Sequence, residues 1–121
     1  MSKKILIIDD EFNISKLLAI PLKKMDFEII DADDGLTGLE LARTEAPDII
    51  ILDIMLPKLN GFKICRLLKF DEKYNNIPIV MLTAKSEEKD ERLGLQMGAD
   101  IYLTKPINLT LLTEEIRKLV G

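Results

Sequence analysis

Short β-branched runs alternate along this chain with longer segments that have helical periodicity. We predict strands over residues 4–9, 28–32, 48–53, 79–83 and 101–104. These runs are mostly apolar, as expected for strands that are covered on both faces of a sheet. Strands that alternate with helices are typical of a parallel α/β sheet.

The segments between these strands carry apolar stripes at helical spacing. The stripes are Ile14, Leu17, Leu18, Leu22 and Met25; Leu36, Leu39 and Ala42; Gly61, Ile64, Cys65 and Leu68; and Leu109, Leu112, Ile116, Leu119 and Val120. Asn108 is the predicted N-cap of the last helix. The fourth helix, over 87–97, is weakly amphipathic and contains Gly94, so we expect it to be the least stable alone. Pro21 falls inside the first helix, where we expect a kink.

Five βα units without a linker or repeat predict one domain over residues 1–121. The expected architecture is a flavodoxin-like, doubly wound, five-stranded parallel sheet with strand order 2-1-3-4-5. In this order the first and third strands are neighbours, and ligands bind outside the carboxyl ends of the strands.

Polar residues stand where the predicted strands end. Asp9 and Asp10 follow the first strand, Asp53 closes the third, Thr83 closes the fourth and Lys105 follows the fifth. Three carboxylates that meet at one edge of a sheet form a site for a hard divalent cation.

Composition narrows the possible functions. Seventeen Lys and Arg against 21 Asp and Glu give a formal net charge of −4. This leaves no basic excess for phosphate-backbone contacts, so we expect no direct binding to nucleic acid. Histidine is absent, which excludes imidazole bases and ligands, and the single Cys65 excludes an intrachain disulfide. No apolar stretch approaches the roughly 20 residues of a membrane helix. We therefore expect a soluble, cytoplasmic protein with no membrane contact.

Each candidate residue also has a purely structural interpretation. An isolated acidic pair is often a loop or a helix cap, Thr83 suits any strand, Lys105 suits any surface, and Tyr102 suits a sheet edge. Asp53 is different, because a carboxylate at the end of a buried strand is costly without a cation or donors. The joint placement of these residues at strand ends favours the functional interpretation.

The ordered set Asp9-Asp10, Asp53, Thr83-Ala84 and Lys105-Pro106 resembles the receiver domain of two-component response regulators. The surrounding sequence extends the resemblance over essentially the whole chain. The supporting segments are KILIIDDE from residue 4, PDIIILDIMLP from 47, NGF from 60, PIVMLTA from 78 and GADIYLTKP from 98.

The resemblance implies a phosphoryl switch centred on Asp53. A histidine kinase or a histidine phosphotransfer protein would phosphorylate Asp53, and Lys105 would supply positive charge. The metal would be Mg²⁺, with Mn²⁺ possible, held by Asp10, Asp53 and the main-chain carbonyl of Met55, with Asp9 acting mainly through a water. Such a domain catalyses only its own phosphoryl transfer and slow autodephosphorylation, so we expect no conventional enzyme.

The resemblance also implies how the switch acts. The Thr83 hydroxyl and the Ala84 N–H would bind the phosphoryl oxygens. Tyr102, on the outward face of the fifth strand, would turn inward into the space that Thr83 vacates. This would change the surface formed by the fourth helix, fifth strand and fifth helix toward an output partner or domain. The family also implies a cis peptide bond before Pro106.

Three alternative functions are open to comparison with the sequence. A flavodoxin-type FMN protein needs a phosphate loop after the first strand, but that loop is the acidic DDEFN from Asp9. An aspartate-based phosphatase of the haloacid dehalogenase kind needs an acid two residues beyond its nucleophile, where this chain has Met55. A degenerate receiver that acts only by binding protein is disfavoured because all five key positions are intact.

The chain departs from the family pattern at the dimer surface. Winged-helix transcription factors of this family pair through basic and acidic residues, but the corresponding positions hold Glu91, Ile101, Leu111 and Glu115. We hypothesise instead an apolar docking patch around Leu111, with Ile101 near it, for a partner protein or a differently built dimer. A monomer or a phosphorylation-dependent dimer is expected.

Met55 and Lys85 occupy the positions that tune hydrolysis in this family. A bulky apolar group and a long amine there predict a long-lived phosphoryl group. The sequence leaves open the cognate kinase, the output, and whether the chain is a whole regulator or a receiver taken from a longer protein.

Overall fold

The computed structural model describes residues 3–120, which form alternating strands and helices. The strands are β1 (Lys4–Ile8), β2 (Glu28–Ala32), β3 (Ile49–Leu52), β4 (Ile79–Thr83) and β5 (Ile101–Thr104). The helices are α1 (Phe12–Lys24), α2 (Gly35–Thr44), α3 (Gly61–Lys69), α4 (Glu88–Gln96) and α5 (Leu109–Val120). Within residues 3–120 no helix has the length and apolar composition needed to cross a membrane.

All five strands form one parallel sheet in the order β2-β1-β3-β4-β5, which confirms the predicted fold and strand order. β2, β4 and β5 have the predicted bounds. β1 and β3 each end one residue earlier than predicted, directly before Asp9 and Asp53, and β3 also begins one residue later than predicted. Asp9 and Asp53 are therefore the first residues beyond their strands.

The sheet separates two apolar cores. One core holds buried residues of α2 and α3 with β-strand residues such as Leu6, Leu52 and Met81. The other packs α1 and α5 against the opposite face through Leu18, Leu22, Leu112 and Ile116. Because both faces are covered, successive residues of the central strands are buried, from Ile5 to Ile8 in β1 and throughout β3 and β4, which explains their continuous apolar runs.

The loop between β3 and α3 is shaped by one capping residue and one glycine. The Asn60 side chain accepts a hydrogen bond from the N–H of Lys63 at 3.0 Å and so caps α3. A Cβ on Gly61 would lie 2.2 Å from the carbonyl oxygen of Asp53. The absence of a side chain at position 61 thus lets α3 begin directly against the end of β3.

Two expectations about the buried helix faces are wrong. Leu17 is 43% exposed and Leu36 is 54% exposed, although both lie on predicted apolar stripes. At about 100° per residue, Leu17 points away from the face of α1 that buries Leu18 and Leu22. The face of α2 that packs on the sheet is built largely from small residues, and Leu36 lies beside this face. The predicted Asn108 cap is confirmed by a 3.0 Å bond from the Leu111 N–H.

Neighbouring leucines on α3 provide a test of this packing. Leu68 is fully buried whereas Leu67 is 37% exposed. We expect Leu68→Ala to lower the free energy of unfolding by about 2–5 kcal/mol, because it removes buried methyl groups and leaves a cavity. Leu67→Ala should cost less than about 1 kcal/mol. Urea unfolding of both variants measures the difference, and equal losses would contradict the assigned face of α3.

Candidate functional site

The site is built where the strands end, because parallel strands bring their carboxyl ends to one edge of the sheet. The Asp9 N–H donates to the carbonyl of Ala32 at 3.1 Å, and the Asp53 N–H donates to the carbonyl of Ile8 at 3.0 Å. These bonds continue the ladders by one residue and fix both aspartates beside the strand termini. Both side chains are almost completely buried, with 5% of Asp9 and 4% of Asp53 exposed.

Three aspartates meet at this edge. Asp9, Asp10 and Asp53 each offer an oxygen, and these oxygens lie within 4.8 Å of one another. Asp10 is exposed, so the cluster opens to solvent on one side. Carboxylate oxygens that converge on an open position are the ligand type that hard divalent cations such as Mg²⁺ prefer.

Lys105 supplies the positive charge of the site. Its Nζ lies 3.0 Å from an oxygen of Asp9, 3.0 Å from an oxygen of Asp53 and 2.9 Å from an oxygen of Glu11. The ammonium is largely buried and is shared by three carboxylates. With Asp10 beside them, the negative charges at this edge outnumber the positive one.

The pKa values of Asp9 and Lys105 are both shifted, for different reasons. Burial raises the pKa of Asp9 above its ordinary value, although the Glu11 N–H and Lys105 act to lower it. Burial alone would lower the pKa of Lys105, but hydrogen bonds to Glu11, Asp9 and Asp53 raise it above the ordinary value. The ammonium therefore stays charged, while burial makes the charged form of Asp9 less favourable than in water. The number of carboxylates around a single ammonium fits a further cation.

Glu11 is a member of the site that the sequence analysis did not assign. Its side chain is exposed, but its carboxylate contacts Lys105 and its N–H donates to Asp9 at 2.9 Å. The signal in the sequence was a third acid directly after the pair at the end of β1. In the sequence this acid indicates only that the loop after β1 is acidic.

Thr83 and Tyr102 are connected through the main chain of Lys85. Thr83 is fully buried, and its hydroxyl oxygen accepts a hydrogen bond from the Lys85 N–H at 3.3 Å. The Tyr102 hydroxyl donates to the Lys85 carbonyl at 2.6 Å, and the ring is partly buried. Burial and the nearby acids Asp90, Glu91 and Asp53 raise the pKa of Tyr102 to about 12. Ala84 lies between Thr83 and Lys85 in the chain and is exposed.

The remaining predicted residues also lie around this edge. The Met55 N–H donates to Asp53 at 3.3 Å, and the Met55 side chain lines a recess of about 500 Å³ together with Phe62 and Lys85. The peptide bond between Lys105 and Pro106 is cis, and the Lys105 N–H donates to the carbonyl of Thr83 at 2.8 Å.

A buried aspartate, an acidic pair, a lysine and a threonine thus lie together at the carboxyl edge of a five-stranded sheet. The chain belongs to the response regulator receiver domain family, whose sequence model matches residues 5–117.

Two transcription regulators are among its relatives. Over 108 residues the chain is 49% identical to the alkaline phosphatase synthesis transcriptional regulatory protein PhoP of Bacillus subtilis, covering 89% of this chain and 44% of that protein. Over 117 residues it is 43% identical to the DNA-binding dual master transcriptional regulator RpaA of Synechocystis, covering 97% of this chain and 48% of that protein. The chain thus spans about half the length of these relatives.

A solved structure supports the same assignment. The signal receiver domain of a DNA-binding response regulator from Colwellia psychrerythraea superimposes with a TM-score of 0.93 at 29% identity, with 98% of both chains covered. The chain is therefore similar in fold and in sequence to receiver domains of two-component signalling proteins.

The raised pKa of Asp9 predicts a stabilising substitution. A carboxyl group whose folded-state pKa is raised favours folding below its unfolded pKa, and this contribution is lost as the pH rises through the folded pKa. Asp9→Asn keeps an acceptor for the Glu11 N–H but removes the under-compensated charge. In EDTA at pH 7 we therefore expect Asp9→Asn to have a higher melting temperature than the wild type.

The difference between the two proteins should shrink as the pH is lowered through the Asp9 pKa, because the wild-type carboxyl then becomes neutral. Thermal unfolding from pH 4 to pH 7 measures this dependence. A variant that is less stable than the wild type at pH 7 would contradict it.

Proposed function

We propose that this chain is a single receiver domain over residues 1–121 that acts as a phosphorylation-dependent switch in a two-component system. It accepts a phosphoryl group on Asp53 from the phosphohistidine of a kinase or of a phosphotransfer protein. The main support is the Asp53 carboxylate, which is almost buried, lies 3.0 Å from the Lys105 ammonium and lies within 4.8 Å of the Asp9 and Asp10 oxygens. Because the family consists of signalling domains and not of classical enzymes, the proposed reaction is the phosphorylation of Asp53 itself.

In the proposed reaction, an oxygen of Asp53 forms a bond to phosphorus. The bond from phosphorus to the donor imidazole nitrogen breaks, and the imidazole leaves with that electron pair. A carboxylate that attacks a phosphoryl group brings together two anions, so positive charge is required on the transferred oxygens. Lys105 provides one charge, since its ammonium already contacts Asp53.

The acidic cluster fits Mg²⁺, with Mn²⁺ as an alternative. Asp10, Asp53 and the main-chain carbonyl of Met55 would hold the ion, with Asp9 acting mainly through a bound water. Such an ion, when bound, neutralises the negative charge of the phosphoryl oxygens. The excess of carboxylates over the single Lys105 ammonium supports this assignment, because negative charge that Lys105 does not neutralise is available to bind a divalent cation.

Thr83, Ala84 and Tyr102 form the proposed response to phosphorylation. The Thr83 hydroxyl and the Ala84 N–H bind phosphoryl oxygens, and Tyr102 adjusts its position as Thr83 moves. Hydrogen bonds link Thr83 to Tyr102 through Lys85. The Lys85 N–H donates to the Thr83 hydroxyl, and the Tyr102 hydroxyl donates to the Lys85 carbonyl. A shift of the segment from Thr83 to Lys85 therefore changes the contacts of Tyr102.

The decisive experiment treats the protein with acetyl phosphate and Mg²⁺ and measures its intact mass. We expect a gain of one phosphoryl group that is absent in Asp53→Asn and after chelation with EDTA. The control Asp26→Asn removes an exposed aspartate at the end of α1 and should be phosphorylated like the wild type. Failure of the wild type to gain mass would favour a binding-only receiver, and continuous release of phosphate would favour the phosphatase.

The whole protein's activity extends beyond this domain in our proposal. The two curated relatives are about twice as long as the matched region, and their names describe transcriptional regulators. An output domain or output protein that acts on DNA is therefore part of the proposal. The expectation that nucleic acid is not involved has no support from these relatives, and it is not retained for the protein as a whole. A cytoplasmic location is proposed from the family.

The surface formed by α4, β5 and α5 is the proposed output surface. It contains a groove of about 360 Å³ whose lining includes Tyr102, Leu103, Leu111 and Glu91. Leu111 is 40% exposed, as predicted, whereas Ile101 packs partly buried against the α1 and α5 core and is not among the groove residues. The proposed docking patch is thus centred on Leu111 and the groove beside it.

Leu111→Lys tests this docking patch. A charge placed in an apolar contact should weaken binding to an output partner or a second copy by about tenfold or more. The matched control is Thr110→Lys, which adds the same charge at the adjacent exposed position of α5. Sedimentation of the phosphorylated proteins, alone and with the output partner, measures association. Unchanged association of Leu111→Lys would exclude this patch.

A further inference from the structure

Helix α4 carries a buried glycine on the face that packs against the sheet. Gly94 is the buried residue of this helix, and glycine in a helix interior is less favourable than alanine. A glycine at such a position is explained when another group approaches the helix too closely for a side chain. The contacts around Gly94 identify that group.

The approaching group is the ring of Tyr102. A Cβ placed on Gly94 would lie 2.8 Å from Cδ2 and 3.0 Å from Cε2 of Tyr102, and 3.0 Å from the sulfur of Met81. Met81 is fully buried on β4 and lies opposite Tyr102 in the sheet, so its freedom to retreat is limited. Tyr102 is only partly buried, so an added methyl group would displace its ring.

The same ring is tethered at its far end. Its hydroxyl donates to the Lys85 carbonyl at 2.6 Å, while the Lys85 N–H donates to the Thr83 hydroxyl at 3.3 Å. The ring is thus held between α4 and the loop that follows β4. Displacement of the ring from α4 toward the neighbouring groove between α4, β5 and α5 would break or lengthen the bond to Lys85.

We propose that Gly94 is a positioning residue of the switch. Its missing side chain lets the Tyr102 ring lie against α4 and reach the Lys85 carbonyl, and this contact orders the segment that presents the Thr83 hydroxyl at the phosphoacceptor end of the sheet. The role of Thr83 in this inference rests on the proposed function. The dependence of the ring position on Gly94 does not.

A double-mutant cycle separates this role from ordinary helix stability. Gly94→Ala should lower the melting temperature of the wild type, because the methyl group meets the Tyr102 ring. In a Tyr102→Ala background the same substitution should lower the melting temperature much less or raise it, since the ring is gone, alanine favours a helix, and the 3.0 Å contact with Met81 is the one that remains. An increase in both backgrounds, or an equal decrease in both, would overturn the proposal. If Gly94→Ala alone does not fold, failure of the Gly94→Ala/Tyr102→Ala double variant to fold would also overturn it.

The ring position can be observed directly. The chain has two tyrosines and no tryptophan, so Tyr74→Phe leaves Tyr102 as the single tyrosine signal. With ¹³C-labelled tyrosine, NMR should detect contacts from the Tyr102 ring to Gly94 and Lys85. Gly94→Ala should abolish the contacts to Lys85, whereas Gln96→Ala, exposed on the same helix, should leave them unchanged. Retention of the Lys85 contacts in Gly94→Ala would overturn the proposal.

The functional measurement is the initial rate of Asp53 phosphorylation by acetyl phosphate. Gly94→Ala and Tyr102→Phe should each lower this rate about 2- to 10-fold, the range expected for one neutral hydrogen bond, and the double variant should show no further loss. Additive losses, or an unchanged rate in Gly94→Ala, would overturn the positioning role. If the wild type is not phosphorylated, the proposed function fails, while the NMR contacts and melting temperatures still decide the role of Gly94.

Discussion

The Lys105 ammonium joins three carboxylates that the sheet brings to one edge, and the rest of the site depends on this interaction. It links the end of β5 to Asp9 and Glu11 after β1 and to Asp53 after β3. One cation does not neutralise all of these acids, and burial raises the pKa of Asp9 in spite of the nearby Lys105. Breaking even between buried charges requires matched partners, and the excess of acid at this edge is compatible with a further cation.

Both faces of the sheet are covered, and this apolar burial offsets the free-energy cost of gathering charged groups at one edge. Residues Ile5 to Ile8 of β1 and all residues of β3 are buried, and their burial stabilises the strands that carry the charged edge. The aspartates stand one residue beyond the strands, where the ladder hydrogen bonds still fix the backbone but the side chains face the open edge. Rigid strands thus position the acids, as a site on flexible loops would not.

The path from the acidic edge to the outer surface is short. Thr83 at the end of β4 and Tyr102 on β5 are linked through the two main-chain polar groups of Lys85. The ring of Tyr102 then contacts α4 at Gly94 and lines the groove that also contains Leu111. Thr83 is therefore connected to an exposed surface through Lys85 and Tyr102, without a long chain of contacts in between.

The sequence by itself determined the five strands and the polar residues at their ends, because apolar runs and strand-terminal polar residues are local patterns. The strand order was expected from the common topologies of such a sheet, and this order brings the strand ends to one edge. The sequence did not determine which face each helix buries, as Leu17 and Leu36 show, since helical spacing defines a stripe but not its rotation. It also missed the contact of Glu11 with Lys105 and the fit of the Tyr102 ring against Gly94. These contacts join residues of different elements, and only the packing of those elements in the tertiary structure sets the distances between them.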